Sequence, residues 1–145
     1  MNADVRRGTP PAVHVQVRDE FDVARVIRTV SQFCREQALS ELFGAHVATA
    51  ASELANNLWM YALRGGHLRL TLVQSGERRG VELVAEDDGP GIADLSQALV
   101  EGFSTAGGLG CGLSGVARLM DTFSIDSAPG VGTRVVTSKW TPSLR

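Results

Sequence analysis

Charge of one sign is scarce in this sequence. Fourteen lysines and arginines against 16 aspartates and glutamates leave a net −2, which gives no electrostatic case for nucleic acid or an anionic membrane surface as partner. Long apolar runs are missing as well. No stretch approaches the roughly 20 residues that span a bilayer, and the opening MNADVRRGTPP lacks the apolar core of a secretion signal. Cysteine occurs twice, at Cys34 and Cys111, far apart and in no metal-binding spacing, as expected of reduced thiols in a cytoplasmic protein. There is no internal repeat and no low-complexity tract. His14, His46 and His67 suggest no common site and read as ordinary surface or strand residues.

Glycine, by contrast, is plentiful: 16 residues, concentrated in the second half of a 145-residue chain. Apolar content of 43% and charged content of 21% describe an ordinary globular protein, and the length suits one domain with a sizeable core. Residues 1–12 read as a flexible N-terminus and 13–145 as the domain.

Val13, Val15 and Val17 alternate with polar residues and predict a first strand. Asp19 or Asp22 can cap a helix to about Ala38, with Val23, Val26, Ile27, Val30 and Phe33 on its inner face. A second helix is expected from about Leu42 to Leu63, ended by Arg64-Gly65-Gly66. HLRLTLV (67–73) and VELVAE (81–86) read as a hairpin around Gly76 to Gly80. A short helical pattern over 94–103, a glycine-rich loop over 104–112 and a helix over 113–121 follow. TFSIDSA and TRVVTSKW close the chain as a second hairpin. The order implies an α+β fold, one sheet with helices on one face, in which the first strand takes either edge.

Three groups carry the chemistry, and their joint occurrence in this order is the argument. Glu53 and Asn57 stand four apart on the second helix and project from one side. A carboxylate above a carboxamide suits a hard cation such as Mg²⁺ or a positioned water. Asn56 is an alternative ligand by type, but sits about 100° from the Glu53 direction. Next, Asp87-Asp88-Gly89-Pro90-Gly91-Ile92 interrupts a strand end with carboxylates and with glycines that tolerate close approach; alone it is a common Asp-Gly turn. Last, the glycines of 107–113 stand before a helix, where backbone N–H groups suit phosphate. No Gly-Lys-Ser/Thr follows, so this is not a Walker A loop, and no βαβ unit surrounds it. Thr133, after PGVG, offers a hydroxyl to the same ligand or simply begins a strand.

Together, Glu53 and Asn57, then Asp87, Gly89 and Gly91, then Gly108, Gly110 and Gly112, then Thr133 resemble the boxes of the GHKL superfamily of ATPases and kinases. Within it the sequence is similar to the anti-sigma-factor-type serine/threonine kinases of the RsbT kind, the switch kinases of bacterial stressosomes. TAASELANNLWMYA (49–62), AEDDGPGI (85–92) and EGFSTAGGLGCGLSGVARLMDTFSI (101–125) carry that likeness.

The resemblance implies a two-layer Bergerat-type sandwich built on a mixed sheet. It implies ATP and Mg²⁺ as cofactors, with Asn57 on the metal and Glu53 as general base or orienter of the attacking hydroxyl. Asp87 accepts from the adenine amino group, Gly91 lets the backbone pass the base, and Thr133 supports the Asp87 side. Ile92 joins the nucleotide-binding set, as do Thr105, Gly107, Gly108, Leu109, Gly110, Gly112 and Leu113 of the lid and its exit. It implies STAS-domain proteins (RsbS- and RsbR-like) as substrates and a PP2C-type phosphatase (RsbU-like) as the target of the released kinase, in the cytoplasm. The alternative within the superfamily is an anti-sigma factor that sequesters a sigma subunit and phosphorylates its antagonist.

Overall fold

The computed structural model describes residues 9–62, 64–87, 113–128 and 132–142. The elements run β1 (Ala12–Val17), α1 (Phe21–Glu36), α2 (Glu41–Tyr61), β2 (Gly66–Ser75), β3 (Arg78–Asp87), α3 (Leu113–Leu119), β4 (Thr122–Ala128) and β5 (Gly132–Trp140). The expected helix over 94–103 and loop over 104–112 lie outside the described residues. The five strands form one sheet in the order β1-β2-β3-β5-β4, and the three helices pack on one of its faces, an α+β two-layer sandwich.

All four strand pairings are antiparallel, where a mixed sheet was expected. β3 and β4 do run in the same direction, each being antiparallel to β5. The tight β4–β5 hairpin, however, inserts β5 between them and splits the parallel pair. β1 settles at the β2 edge, with Val17 opposite Gly66.

Alternation decides which face of each strand is buried. Val15 and Val17, Leu68 and Leu70, Val81, Leu83 and Ala85, and Val135 all point to the helices and are buried. From the helical layer, Val26, Val30 and Phe33 of α1 meet Val47, Ala50, Ala51, Leu54 and Leu58 of α2. Ile27 departs from the expected inner face: it is exposed, and Cys34 completes the buried line of α1. Burial pushes the Cys34 thiol up to about 11, so it stays protonated and packs as a small apolar group. On the open face His67 meets Glu86 at 3.0 Å, Glu86 meets Arg134 at 3.0 Å, and the His14 and His67 rings lie 5.0 Å apart. Two of the three histidines are therefore neighbours, brought together by the β1–β2 register rather than by spacing.

The helix ends follow local chemistry. Ser40 Oγ accepts from the Phe43 amide at 3.1 Å and caps α2. At α1 the capping position is Glu20, whose side chain makes no cap bond. The flanking aspartates do the work instead: Asp19 accepts from the Phe21 amide at 2.9 Å and Asp22 from the Arg18 amide at 2.8 Å. α2 stops at Tyr61 with Ala62 extended, so Gly65 and Gly66 lie past its end and Gly66 opens β2. The first hairpin turns over Gly76 and Glu77 alone, because Ser75 and Arg78 already pair. No helix among the described residues is long and apolar enough to cross a membrane.

The Arg18 amide first, and the Arg25 guanidinium next, hold the Asp22 carboxyl below its ordinary 3.8. A depressed carboxylate stabilises the fold above its unfolded value, and the contribution is lost as pH falls through the folded value. Asp22→Asn is expected to lower the urea midpoint at pH 7, with the gap to wild type closing as pH falls below the ordinary carboxylate range. An undiminished gap at low pH contradicts this.

Candidate functional site

α2 delivers Glu53 and Asn57 toward the end of the sheet where β3 finishes and β5 begins. The Asn57 side-chain amide donates to the Glu53 carbonyl one turn back, at 3.1 Å. That bond uses one of the two amide hydrogens, and the carboxamide oxygen is available to serve a cationic ligand. Its neighbour is differently occupied. Asn56 Oδ1 accepts from the Trp59 indole N–H at 2.9 Å, which ties this carboxamide to its own helix.

Asp87 is the last residue of β3. One oxygen of its carboxylate accepts from the Thr133 backbone N–H at 2.7 Å, a charge-assisted bond across the β3–β5 boundary. The contact comes from the Thr133 amide, which places Thr133 on the Asp87 side of the recess, as expected. Gly132 precedes it with φ +136°, and a Cβ there would stand 3.1 Å from Asp87 Oδ1. Glycine at this position thus lets the β5 backbone close on the carboxylate.

Asn57, Asp87, Leu113 and Thr133 share one recess, with Leu54, Leu58, Ala62, Ala85 and Val135 as its apolar walls. The enclosed space is about 20 Å³, room for about one water, so these residues form the floor of a site rather than a finished socket. Glu53 stands one helical turn from the recess through its carbonyl contact with Asn57. Gly89, Gly91, Ile92, Thr105, Gly107, Gly108, Leu109, Gly110 and Gly112 lie outside the described residues. Leu58, Ala62 and Ala85 were legible as core by periodicity but not as walls of a site, because burial and site-lining leave the same sequence signal.

A wider groove of about 590 Å³ lies at the other pole, bounded by Leu39, Phe43, Arg79 and Trp140. Arg79 and Asp87 are eight residues apart on β3, roughly 26 Å at strand rise. The larger volume is lined by Glu77 and His46 as well, but sets no carboxamide beside its carboxylate. Its cations are spent on backbone, Arg79 on the Gln37 carbonyl at 2.6 Å and Lys139 on the Leu119 carbonyl at 2.9 Å. The carboxylate and carboxamide together make the smaller recess the candidate site.

The fold and this constellation define a histidine kinase-like ATPase domain, and the family model of that description matches residues 9–139. Serine/threonine-protein kinase RsbT of Bacillus subtilis (strain 168) is 39% identical over 126 residues, covering 87% of this chain and 94% of the relative. The chain belongs to the RsbT family of serine/threonine-protein kinases. Two solved structures share the fold at low identity. One holds the RsbU and RsbW domains of a Mycobacterium tuberculosis protein, at TM-score 0.60 and 15% identity over 92% of this chain. This chain spans 34% of that one. The other is the SiaB–SiaC complex of Pseudomonas aeruginosa, at TM-score 0.52 and 12% identity, covering 96% of this chain and 94% of its match.

The Asn56–Trp59 bond predicts that Asn56→Ala costs about 1 kcal/mol of stability and leaves ATP affinity within about two-fold of wild type. Denaturation and calorimetric titration measure the two; a large loss of ATP affinity with unchanged stability contradicts the assignment.

Proposed function

We propose that the chain transfers the γ-phosphate of ATP to a serine or threonine of STAS-domain regulatory proteins, in the manner of stressosome switch kinases in the cytoplasm. The observation that carries this is the convergence of Asn57 from α2, Asp87 from β3 and Thr133 from β5 on one recess. The 39% identity to RsbT supports it.

In this reading Asp87 accepts from the adenine amino group, with its carboxylate plane held by the Thr133 amide. Leu54, Leu58 and Val135 keep water from that contact, which raises its worth. The donor set fits Mg²⁺. Among the described residues no group of three or more His, Cys, Asp or Glu can hold a metal. An Mg²⁺ held chiefly by phosphates and water asks for one or two protein oxygens, and the Asn57 carboxamide oxygen supplies one. Bound there, the ion would neutralise charge on the phosphates. Glu53, one turn above Asn57, orients the attacking hydroxyl and receives its proton. The segment 104–112, outside the described residues, is the proposed lid over the phosphates, with Gly89, Gly91 and Ile92 completing the base site. Release from the phosphorylated STAS protein would free the kinase to activate a PP2C-type phosphatase.

The test is transfer of label from γ-labelled Mg-ATP to STAS-domain proteins. Label on serine or threonine is expected. Glu53→Ala should retain wild-type circular dichroism and lose roughly 10²–10⁴-fold in rate. Asn57→Ala should weaken ATP binding in the presence of Mg²⁺ and leave metal-free ATP binding nearly unchanged. Full transfer by either variant contradicts the assignment. No transfer, together with capture of a sigma subunit, would favour the sequestering anti-sigma factor instead.

A further inference from the structure

We infer that Gly66, the first residue of β2, is a positioning residue for base recognition, setting where the Asp87 carboxylate stands. The inference rests on the adenine-reading role proposed for Asp87. Gly66 and Asp87 are opposite each other in the β2–β3 register. Both face the helical layer, beneath Leu58 of the recess wall. A Cβ at Gly66 would overlap the Glu86 carbonyl oxygen, stand 2.7 Å from Asp87 Cα and 2.8 Å from Leu58 Cδ2. The leucine tip can rotate away. The two backbone atoms cannot, so a side chain at 66 moves one strand relative to the other.

β2 is backed on its other side by β1. Gly66 pairs with Val17 of β1, and its carbonyl accepts from the Gln16 side-chain amide at 3.1 Å. Gly65, at φ +70°, already lies so close to β1 that a Cβ on it would overlap the Val17 carbonyl oxygen. With β1 behind β2, the displacement reaches the end of β3, which carries Asp87. On the far side the carboxylate is fixed by the Thr133 amide at 2.7 Å, with Gly132 closing against it. Asp87 thus stands between two glycine-permitted approaches, β2 on one side and β5 on the other. Ordinary contact distances would push the β3 end by about 1 Å, more than the length range of a hydrogen bond to the adenine amino group tolerates.

The experiment compares ATP with ITP, whose six-position oxygen replaces the adenine amino group, by calorimetric titration of wild type, Gly66→Ala, Gly65→Ala and Asp87→Ala. Wild type is expected to prefer ATP, and Asp87→Ala to lose the preference. Gly66→Ala should collapse it by about 10-fold or more, since one hydrogen bond to a charged group carries that much discrimination. Gly65→Ala is strained at its positive φ but does not touch Asp87, so it should lower stability and keep the ATP-to-ITP ratio. General destabilisation reduces the active fraction for both nucleotides alike and leaves the ratio unmoved. A folded Gly66→Ala with the wild-type ratio overturns the inference while Asp87 keeps its role. An unchanged ratio in Asp87→Ala overturns the adenine-reading role itself. If Gly66→Ala does not fold, Gln16→Leu loosens the Gly66 anchor without adding an atom at 66: a two- to three-fold fall in ATP preference supports the inference, and no fall overturns it.

Discussion

The hydrogen bond from the Thr133 amide to the Asp87 carboxylate joins the last residue of β3 to the start of β5, and the site is organised around it. A carboxylate at a strand end with no fixed partner would sample several rotamers, each at little cost. Tied at 2.7 Å to a backbone N–H, it holds one orientation, and the remaining pieces are placed relative to it. The bond in turn requires β5 to lie directly beside β3, which the β4–β5 hairpin achieves by inserting β5 ahead of β4. The antiparallel sheet is thus the arrangement that sets Thr133 against Asp87.

α2 supplies the opposite wall. Its buried stripe of Val47, Ala50, Ala51, Leu54 and Leu58 fixes the rotation of the helix, because turning it would expose those side chains at about 25 cal/mol per Å². With the rotation fixed, Asn57 faces the recess and Asn56 bonds to Trp59. The core therefore decides which asparagine lines the recess.

Much of this was legible in the chain. The alternation of Val13, Val15 and Val17 and the period of α2 are strong signals, because burial of one face leaves a regular trace. Glu53, Asn57, Asp87 and Thr133 were marked by residue type and order. Three things were hidden. The antiparallel sheet depends on which strand a hairpin inserts, a tertiary outcome that spacing does not record. The Thr133 bond to Asp87 is made by a backbone amide, which every residue but proline possesses. Gly66 read as a helix terminator because nothing local distinguishes a glycine that ends a helix from one that permits close approach; the difference lies in Glu86 and Asp87, some twenty residues away.

The central claim is that nucleotide is bound at the Asp87 end of the sheet and not in the wider groove around Trp140. Amide chemical shifts of the labelled protein titrated with a non-hydrolysable ATP analogue and Mg²⁺ test it directly. The account predicts the largest perturbations at Asn57, Asp87 and Thr133, with Leu39, Arg79 and Trp140 unmoved. Perturbations centred on the Leu39, Arg79 and Trp140 groove, with Asp87 and Thr133 silent, would contradict it.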